Sequence, residues 1–269
     1  MTTMKTRATS KKHRGSRNGQ SLRPGYAGGY SAEFQAMKCN TRDMTPHEGV
    51  MESEYLSTQY RRIWRSMAKV KINFKKILQT LCQKRISFVL HGAYGIASWT
   101  GRPRSTHDVD ILTRADRNFT RALKALKELY PKLEVREFGN VTAFFVPGET
   151  ESVIDLCLPH RESDVAMLET AIWVKDEGLK YRVPTLESAL AAKYGAMLNP
   201  LRGPEKRGMD AVDFSFMVKH SMKKSRTPID MEKLYALGEL IWPGGGGKEI
   251  LRLIEQVKAG KLPSVNNGN

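Results

Sequence analysis

The segment His91-Gly-Ala-Tyr-Gly-Ile-Ala-Ser-Trp-Thr-Gly-Arg-Pro-Arg-Ser-Thr-His-Asp-Val-Asp-Ile-Leu112 carries the most specific information about the fold. It begins at the end of an apolar run, residues 86–91, whose β-forming side chains predict a buried strand that stops at Gly92. A short helix follows as far as Gly101, and residues 107–112 predict a second strand. Because side chains two apart on a strand share a face, we expect Asp108 and Asp110 to project side by side.

Paired carboxylates of this kind repel each other unless a cation lies between them. Mg²⁺, or Mn²⁺ in its place, commonly binds one or two protein carboxylates together with substrate phosphates. A third acid, Asp155, lies within an apolar strand predicted at residues 152–158, where an unpaired charge is costly. Asp108, Asp110 and Asp155 are therefore the predicted catalytic and metal-binding residues of a two-metal site.

Groups suited to phosphate precede these acids in the chain. Gly92 lies where a strand gives way to a helix, and the backbone N–H groups and dipole of a helix N-terminus attract phosphate. The loop before Asp108 adds cationic and hydroxyl donors. The predicted nucleotide- or phosphate-binding residues of this segment are Gly92, Ala93, Arg102, Arg104, Ser105 and Thr106. An isolated Asp-x-Asp is also common in exposed strands and turns, so the prediction depends on the combination.

The combination resembles the DNA-polymerase-β-like nucleotidyltransferase superfamily, whose pattern is a Gly-Gly or Gly-Ser turn, a short helix, an Asp-x-Asp strand and a later Asp strand. Ala93 departs from that pattern, because it stands where the superfamily usually has Gly or Ser. Within the superfamily the chain looks like the AbiEii-type toxins and their uncharacterised relatives, which often have Arg-Ser-Thr before Asp-x-Asp. The resemblance covers about residues 72 to 220.

This resemblance implies an enzyme that moves a nucleoside monophosphate from a nucleoside triphosphate (NTP) to an acceptor hydroxyl. The family suggests RNA, particularly tRNA ends, as one acceptor class, and small molecules and protein side chains are the alternatives. A toxin-like role and a protein antitoxin as partner are also implied.

The AbiEii-type relatives tend to carry a Lys-bearing helix and then an Arg-x-x-Asp-x-x-Asp helix after the catalytic domain. The matching residues here are Lys193, assigned to nucleotide binding, and Arg207, Asp210 and Asp213, assigned as auxiliary residues. Residues three apart lie on one helical face, so the last three can reach a common site. An ion-paired, solvated helix is the alternative explanation.

The order of predicted elements indicates an α+β fold, with a mixed sheet of the nucleotidyltransferase type flanked by helices and followed by a C-terminal helical lobe. We predict a disordered basic arm at residues 1–48, a catalytic domain with its preceding helices at 49–160, and a mainly helical lobe at 161–269. Further strands are predicted at residues 133–137 and 141–146, a hairpin at 172–183, and helices at 118–129, 185–198, 206–220, 230–241 and 248–258. The glycine run at residues 244–247 is interpreted as a flexible joint between the last two helices.

The charge of the chain points to a polyanionic partner. The formal net charge is +16, and residues 1–32 contain seven Lys or Arg and no acid. A surface this basic attracts nucleic acid through its field and through counterion release, so we expect the arm either to bind RNA or simply to be solvated. No run approaches the roughly 18 apolar residues of a membrane span, which predicts a soluble, cytoplasmic protein with no membrane partner.

Two functions from different classes fit these patterns. The preferred hypothesis is a metal-dependent nucleotidyltransferase that uses an NTP. The alternative is a protein of the same fold, catalytically weak or inactive, that serves as an RNA- or ribosome-binding scaffold. Retention of all three acids favours the enzyme, whereas Ala93 and the net charge favour the scaffold.

Overall fold

The computed structural model describes residues 43–64, 72–176, 178–223, 226 and 228–265, without the side chains of residues 61–64 and 176. Residues 1–42 of the disordered arm predicted for residues 1–48 lie outside this description, so that part stays a prediction. The last residues of the predicted arm are ordered instead, because a helix begins at Pro46. None of the described helices is both long and apolar enough to span a membrane.

The described residues form nine helices and seven strands. The helices are α1 (Pro46–Trp64), α2 (Phe74–Gln83), α3 (Gly92–Thr100), α4 (Arg117–Leu129), α5 (Glu162–Thr170), α6 (Leu186–Leu198), α7 (Pro204–Ser221), α8 (Met231–Ile241) and α9 (Gly246–Lys258). The strands are β1 (Val89–Leu90), β2 (Asp110–Leu112), β3 (Glu134–Phe138), β4 (Val141–Phe145), β5 (Ser152–Cys157), β6 (Ile172–Asp176) and β7 (Leu179–Val183). The predicted α+β class is confirmed.

All seven strands belong to one mixed sheet, in the order β3-β4-β5-β2-β1-β7-β6. The β1–β7 and β2–β5 pairs are parallel, and the remaining neighbours are antiparallel. The hairpin β6–β7 follows residue 160 in the chain, yet it extends the same sheet through β1. The helices that come after it, α6 to α9, form the C-terminal helical part that the sequence predicts.

Two large apolar cores and a third, smaller cluster between α5 and the sheet stabilise this arrangement. In the first, α2, α4 and one face of the sheet enclose side chains such as Phe74 and Phe144, and Phe74 stacks on Tyr94 of α3 with ring centroids 4.2 Å apart. The second lies among α6 to α9, around Phe214 and Leu234. The N-terminus of α6 is fixed as predicted, because the Thr185 hydroxyl accepts a hydrogen bond from the Ser188 N–H.

The glycine run at residues 244–247 is not the flexible joint that the sequence predicted. Gly246 and Gly247 begin α9, and the Glu239 carboxylate accepts hydrogen bonds from the N–H groups of Gly244 and Gly247 at 2.7 and 2.8 Å. A Cβ on Gly246 would overlap the carbonyl oxygen of Gly238 in α8. Gly246 is therefore explained by the close approach of two helix backbones, which a side chain would prevent, and Gly244 by its positive φ of +84°.

Candidate active site

Three carboxylates meet at the centre of the sheet. Asp110 on β2 pairs in register with Asp155 on the parallel strand β5, so the two side chains lie on the same face. One carboxylate oxygen from each of Asp108, Asp110 and Asp155 lies within 4.8 Å of the others. Val109 and Ile111 are fully buried on the opposite face, as the alternation predicts.

The backbone at Gly92 makes room for one of these acids. Gly92 has φ +59°, and a Cβ there would overlap the Asp110 carboxylate. The neighbouring His91 N–H donates to the Asp110 carbonyl oxygen at 3.1 Å, which fixes the start of α3 against β2. Ala93 packs its methyl group in the interior, so this position contributes packing as well as a backbone N–H at the helix N-terminus.

The electrostatics of the triad favour a bound cation. Burial, followed by repulsion from Asp108, raises the pKa of the Asp110 carboxyl to about 7. Burial and the charge of Asp110 likewise raise the pKa of Asp155 to about 7. Among the described residues, the buried Oδ1 of Asp155 has no hydrogen-bond partner. Clustered oxygens that resist ionisation and include an unsatisfied buried atom fit a divalent, oxygen-seeking metal ion.

A chain of hydrogen bonds from α1 positions Asp108. The Ser57 hydroxyl donates to the Ser53 carbonyl at 2.7 Å and accepts from the Thr106 N–H at 2.9 Å. The Thr106 hydroxyl in turn donates to Asp108 Oδ1 at 2.6 Å. The structure thus directs the Thr106 hydroxyl, which the sequence assigned to phosphate, at a carboxylate of the triad. The sequence analysis did not identify Ser57. The available signal was the spacing of Ser53 and Ser57, which lie one helical turn apart on the buried side of α1.

Replacing Ser57 by Ala is expected to weaken divalent-metal binding and to destabilise the fold by about 1–3 kcal/mol, because the buried Thr106 N–H loses its acceptor. A titration of the full chain with Mn²⁺, together with a denaturation curve, checks both effects. Ser53→Ala is the matched control, because Ser53 is equally buried one turn away and its hydroxyl has no partner among the described residues. Equal Mn²⁺ affinities for the two variants would contradict the positioning role of Ser57.

A buried ion network lies next to the triad. Lys193 Nζ on α6 lies 2.8 Å from Asp210 Oδ1 and 2.7 Å from Asp213 Oδ2 on α7. Arg104 donates to Asp213 at 3.1 Å, and Arg202 donates to Asp210 at 2.5 Å. The solvated helix considered for the two acids is excluded, because Asp210 is 1% exposed and Asp213 is 6% exposed.

The network places positive charge close to the acids of β2. Burial and Asp108 raise the pKa of Asp110, and the nearby charges of Lys193, Arg104 and Arg202 partly offset that rise. Arg202 was missed by sequence reasoning. Arg202 lies in the turn between α6 and α7, eight residues before Asp210. Helical periodicity therefore could not predict that the two side chains pair.

The remaining predicted residues are less closely tied to the triad. Arg102 lies over the Phe216 ring, 4.2 Å from its centroid, and Ser105 accepts a 3.4 Å contact from Arg104 through its carbonyl oxygen. No hydrogen bond or ion pair links Arg207 to Asp210 or Asp213 in the described structure. Arg207 therefore does not join the network that the motif predicted.

His91 is a further polar residue at this edge of the sheet. It is the N-terminal cap residue of α3, and its buried Nε2 has no hydrogen-bond partner among the described residues. Burial lowers the pKa of the imidazole to about 4, so the ring is neutral at physiological pH.

Comparison with known proteins finds seven similar chains among solved structures, including the two that follow. No protein-family model matches the chain, and no curated protein matches it. An antigenic nucleotidyltransferase-like protein from Paracoccidioides brasiliensis is 20% identical over 72% of this chain and 96% of its own, with a TM-score of 0.40. The antibiotic-resistance factor ANT(2'')-Ia is 16% identical over 61% of this chain and 85% of its own, with a TM-score of 0.39. The narrower resemblance to AbiEii-type toxins stays a prediction.

Proposed function

We propose that this protein is a metal-dependent nucleotidyltransferase that moves a nucleoside monophosphate from an NTP to an acceptor hydroxyl. The single observation that carries this function is the meeting of Asp108, Asp110 and Asp155 on one sheet face, with oxygens within 4.8 Å of one another. Carboxylates brought together beside the partly buried N-terminus of α3, with cations alongside, are suited to hold metal and phosphate at once.

In this proposal the three carboxylates hold Mg²⁺ or Mn²⁺. A divalent cation there neutralises charge on the triphosphate and polarises the reacting oxygens. The protein's own groups do the rest: the first N–H groups of α3, at Gly92 and Ala93, bind phosphate oxygens, and Asp155 helps to activate the acceptor hydroxyl. As the acceptor oxygen bonds to the α-phosphorus, the bond to the β-phosphate oxygen breaks and pyrophosphate leaves.

The ion network supplies the cationic side of the site. Lys193, Arg104 and Arg202 are directed by two buried carboxylates, which fixes the cations before any substrate arrives. Such prior positioning avoids the free energy of ordering long side chains around the phosphates. Asp210 and Asp213 are therefore assigned as positioning residues rather than as metal ligands.

A transfer assay tests the proposal directly. The full chain is incubated with Mg²⁺, each α-³²P-labelled NTP in turn, and total RNA, and labelled product and pyrophosphate are measured. We expect label to appear in an acceptor for at least one NTP and to be lost in Asp108→Asn. Asp116→Asn is the matched control, because Asp116 only caps α4 and Asn caps equally well. Transfer that persists in Asp108→Asn would refute the site.

The net charge of +16 favours a second candidate, an RNA- or ribosome-binding scaffold of the same fold. RNA affinity in the intact protein without any binding of NTP or Mn²⁺ would support the scaffold over the enzyme. If removal of residues 1–45 abolishes RNA affinity while NTP binding survives, RNA recognition belongs to the basic arm. A toxin-like role with an antitoxin partner, and a cytoplasmic location, rest on the sequence alone.

A further inference from the structure

The outer face of the hairpin β6–β7 carries an exposed tryptophan among cations. Trp173 pairs across the hairpin with Arg182, and Lys175 pairs with Lys180, so all four side chains lie on one face. The opposite face is apolar and packs into the core, for example through Val174. Trp173 is 55% exposed although it belongs to a regular strand. Core packing therefore does not explain the tryptophan.

The cations around Trp173 differ in how tightly they are held. Arg182 is anchored, because its guanidinium donates to the carbonyl oxygens of Phe88 and Leu168 and to the Ser87 hydroxyl. Lys180 is exposed and lies with its Nζ 4.6 Å from the centre of the Trp173 ring. Lys175 is exposed as well. The face thus offers a flat aromatic ring on a rigid strand pair with two lysines that can reach an anion.

This face lies on the same side of the sheet as the carboxylate triad. Arg182 is in register with Val89 of β1, and Val89 is in register with Leu112 of β2. Leu112 shares its face with Asp110, which is two residues away on the same strand. Trp173 and Asp110 are thus separated by three strand spacings across the sheet, or about 14 Å, plus their offset along the strands.

We propose that the face formed by Trp173, Lys175, Lys180 and Arg182 binds single-stranded nucleic acid. A base stacks on Trp173, while Lys175 and Lys180 neutralise the flanking phosphates. Charge complementarity favours this occupant, because the four side chains of the face include three cations and no acid. An unpaired strand is required, since the bases of a duplex have no free face to offer the ring. Binding of the strand does not depend on the proposed function. Its use as the acceptor of the transfer reaction does.

Fluorescence anisotropy tests this surface. It measures the binding of a labelled 12-nucleotide RNA, and of DNA of the same sequence, to the full chain. Trp173→Ala is expected to weaken binding about 10-fold, and Trp173→Phe much less, because phenylalanine keeps an aromatic face. Thermal midpoints verify that both variants fold. RNA and DNA are distinguished by their separate affinities, and a 12-base-pair duplex is expected to compete poorly with either strand.

The salt dependence of binding isolates the two lysines from the rest of the basic chain. Each cation that neutralises a phosphate of a single strand contributes about 0.7 to the slope of log affinity against log salt. Lys175→Gln with Lys180→Gln should therefore reduce that slope by about 1.4. The matched control is Lys124→Gln with Lys127→Gln on α4, which removes the same charge from exposed positions and should leave the slope unchanged.

Unchanged binding by Trp173→Ala, or equal slopes for the two lysine pairs, would overturn the proposal. Preference for anionic lipid vesicles over the strands would overturn it too. A failure of the proposed function is visible separately, because it removes label transfer without altering the effects of these substitutions on strand affinity.

Discussion

Asp110→Asn is expected to reduce nucleotidyl transfer by about 10²–10³-fold or more, and at the same time to stabilise the metal-free protein at neutral pH. The loss of transfer follows from removing one charged oxygen ligand from the triad. The gain in stability follows because the metal-free site gathers carboxylates whose ionisation the fold opposes. Opposite signs for activity and stability distinguish a functional site from a structural one.

The pH dependence of this effect has a definite sign. Asp110 and Asp155 have pKa values of about 7 in the folded protein, whereas an unfolded aspartate titrates near 4. Between these pH values the folded state holds more protons, so the free energy of unfolding of the metal-free protein falls as the pH rises from about 4 through about 7. Asp110→Asn removes the part of that fall that Asp110 contributes, so at pH 7.5 it should raise the free energy of unfolding of the metal-free protein by up to about 4 kcal/mol.

Urea denaturation at pH 5 and pH 7.5, with EDTA or with saturating Mn²⁺, measures this effect. Wild type should gain about 2.7 kcal/mol at a Mn²⁺ concentration of 100 times its dissociation constant, and Asp110→Asn should gain little. Asp116→Asn, a solvent-side cap residue, provides the control for the chemical change itself. If Asp110→Asn destabilises the EDTA-treated protein at pH 7.5, the triad does not hold its carboxylates under mutual repulsion.

Lys193→Met is expected to destabilise the fold by about 3–5 kcal/mol, because it leaves two buried carboxylates without their shared partner. Lys193 has a side chain that is 10% exposed, between Asp210 at 2% and Asp213 at 8%. Burial opposes the ionisation of Asp213, but the charges of Lys193 and Arg104 outweigh it and hold the pKa of that carboxyl below its usual value. Without Lys193 that balance is lost.

The comparison for this prediction is Lys84→Met, whose partner Glu128 forms an equally direct pair at 3.1 Å in an exposed position. It should cost less than about 1 kcal/mol. Adding Asp210→Asn and Asp213→Asn to Lys193→Met should recover part of the loss, since neutral amides need no cation. Chemical denaturation of the four proteins measures these differences. Equal losses of stability from Lys193→Met and Lys84→Met would show that the buried network depends on its lysine no more than an exposed ion pair does.

Periodicity predicted what is local in this chain. Alternation along residues 108–112 placed the two acids of that segment on one face, and Thr185 was correctly assigned as a helix cap. The meeting of Asp110 with Asp155 required the register of two strands that are distant in sequence, which no single segment encodes. The same limit hid Ser57, whose link to the site among the described residues is the hydrogen bond that its hydroxyl accepts from the Thr106 N–H, 49 residues later.

Strand β5, which brings Asp155 to Asp110, is separated from β2 in the sequence by α4 and the hairpin β3–β4, and it pairs with both β4 and β2. A chain in which β5 is not paired with β2 therefore has two of the acids in place but not the third. A divalent ion that needs all of them has nothing to hold until the sheet is complete, so it stabilises the finished arrangement over every intermediate. Because the ion binds only the complete triad, it should slow unfolding of the native state and leave the folding rate unchanged. Unfolding and refolding rates measured with and without Mn²⁺ would show this difference.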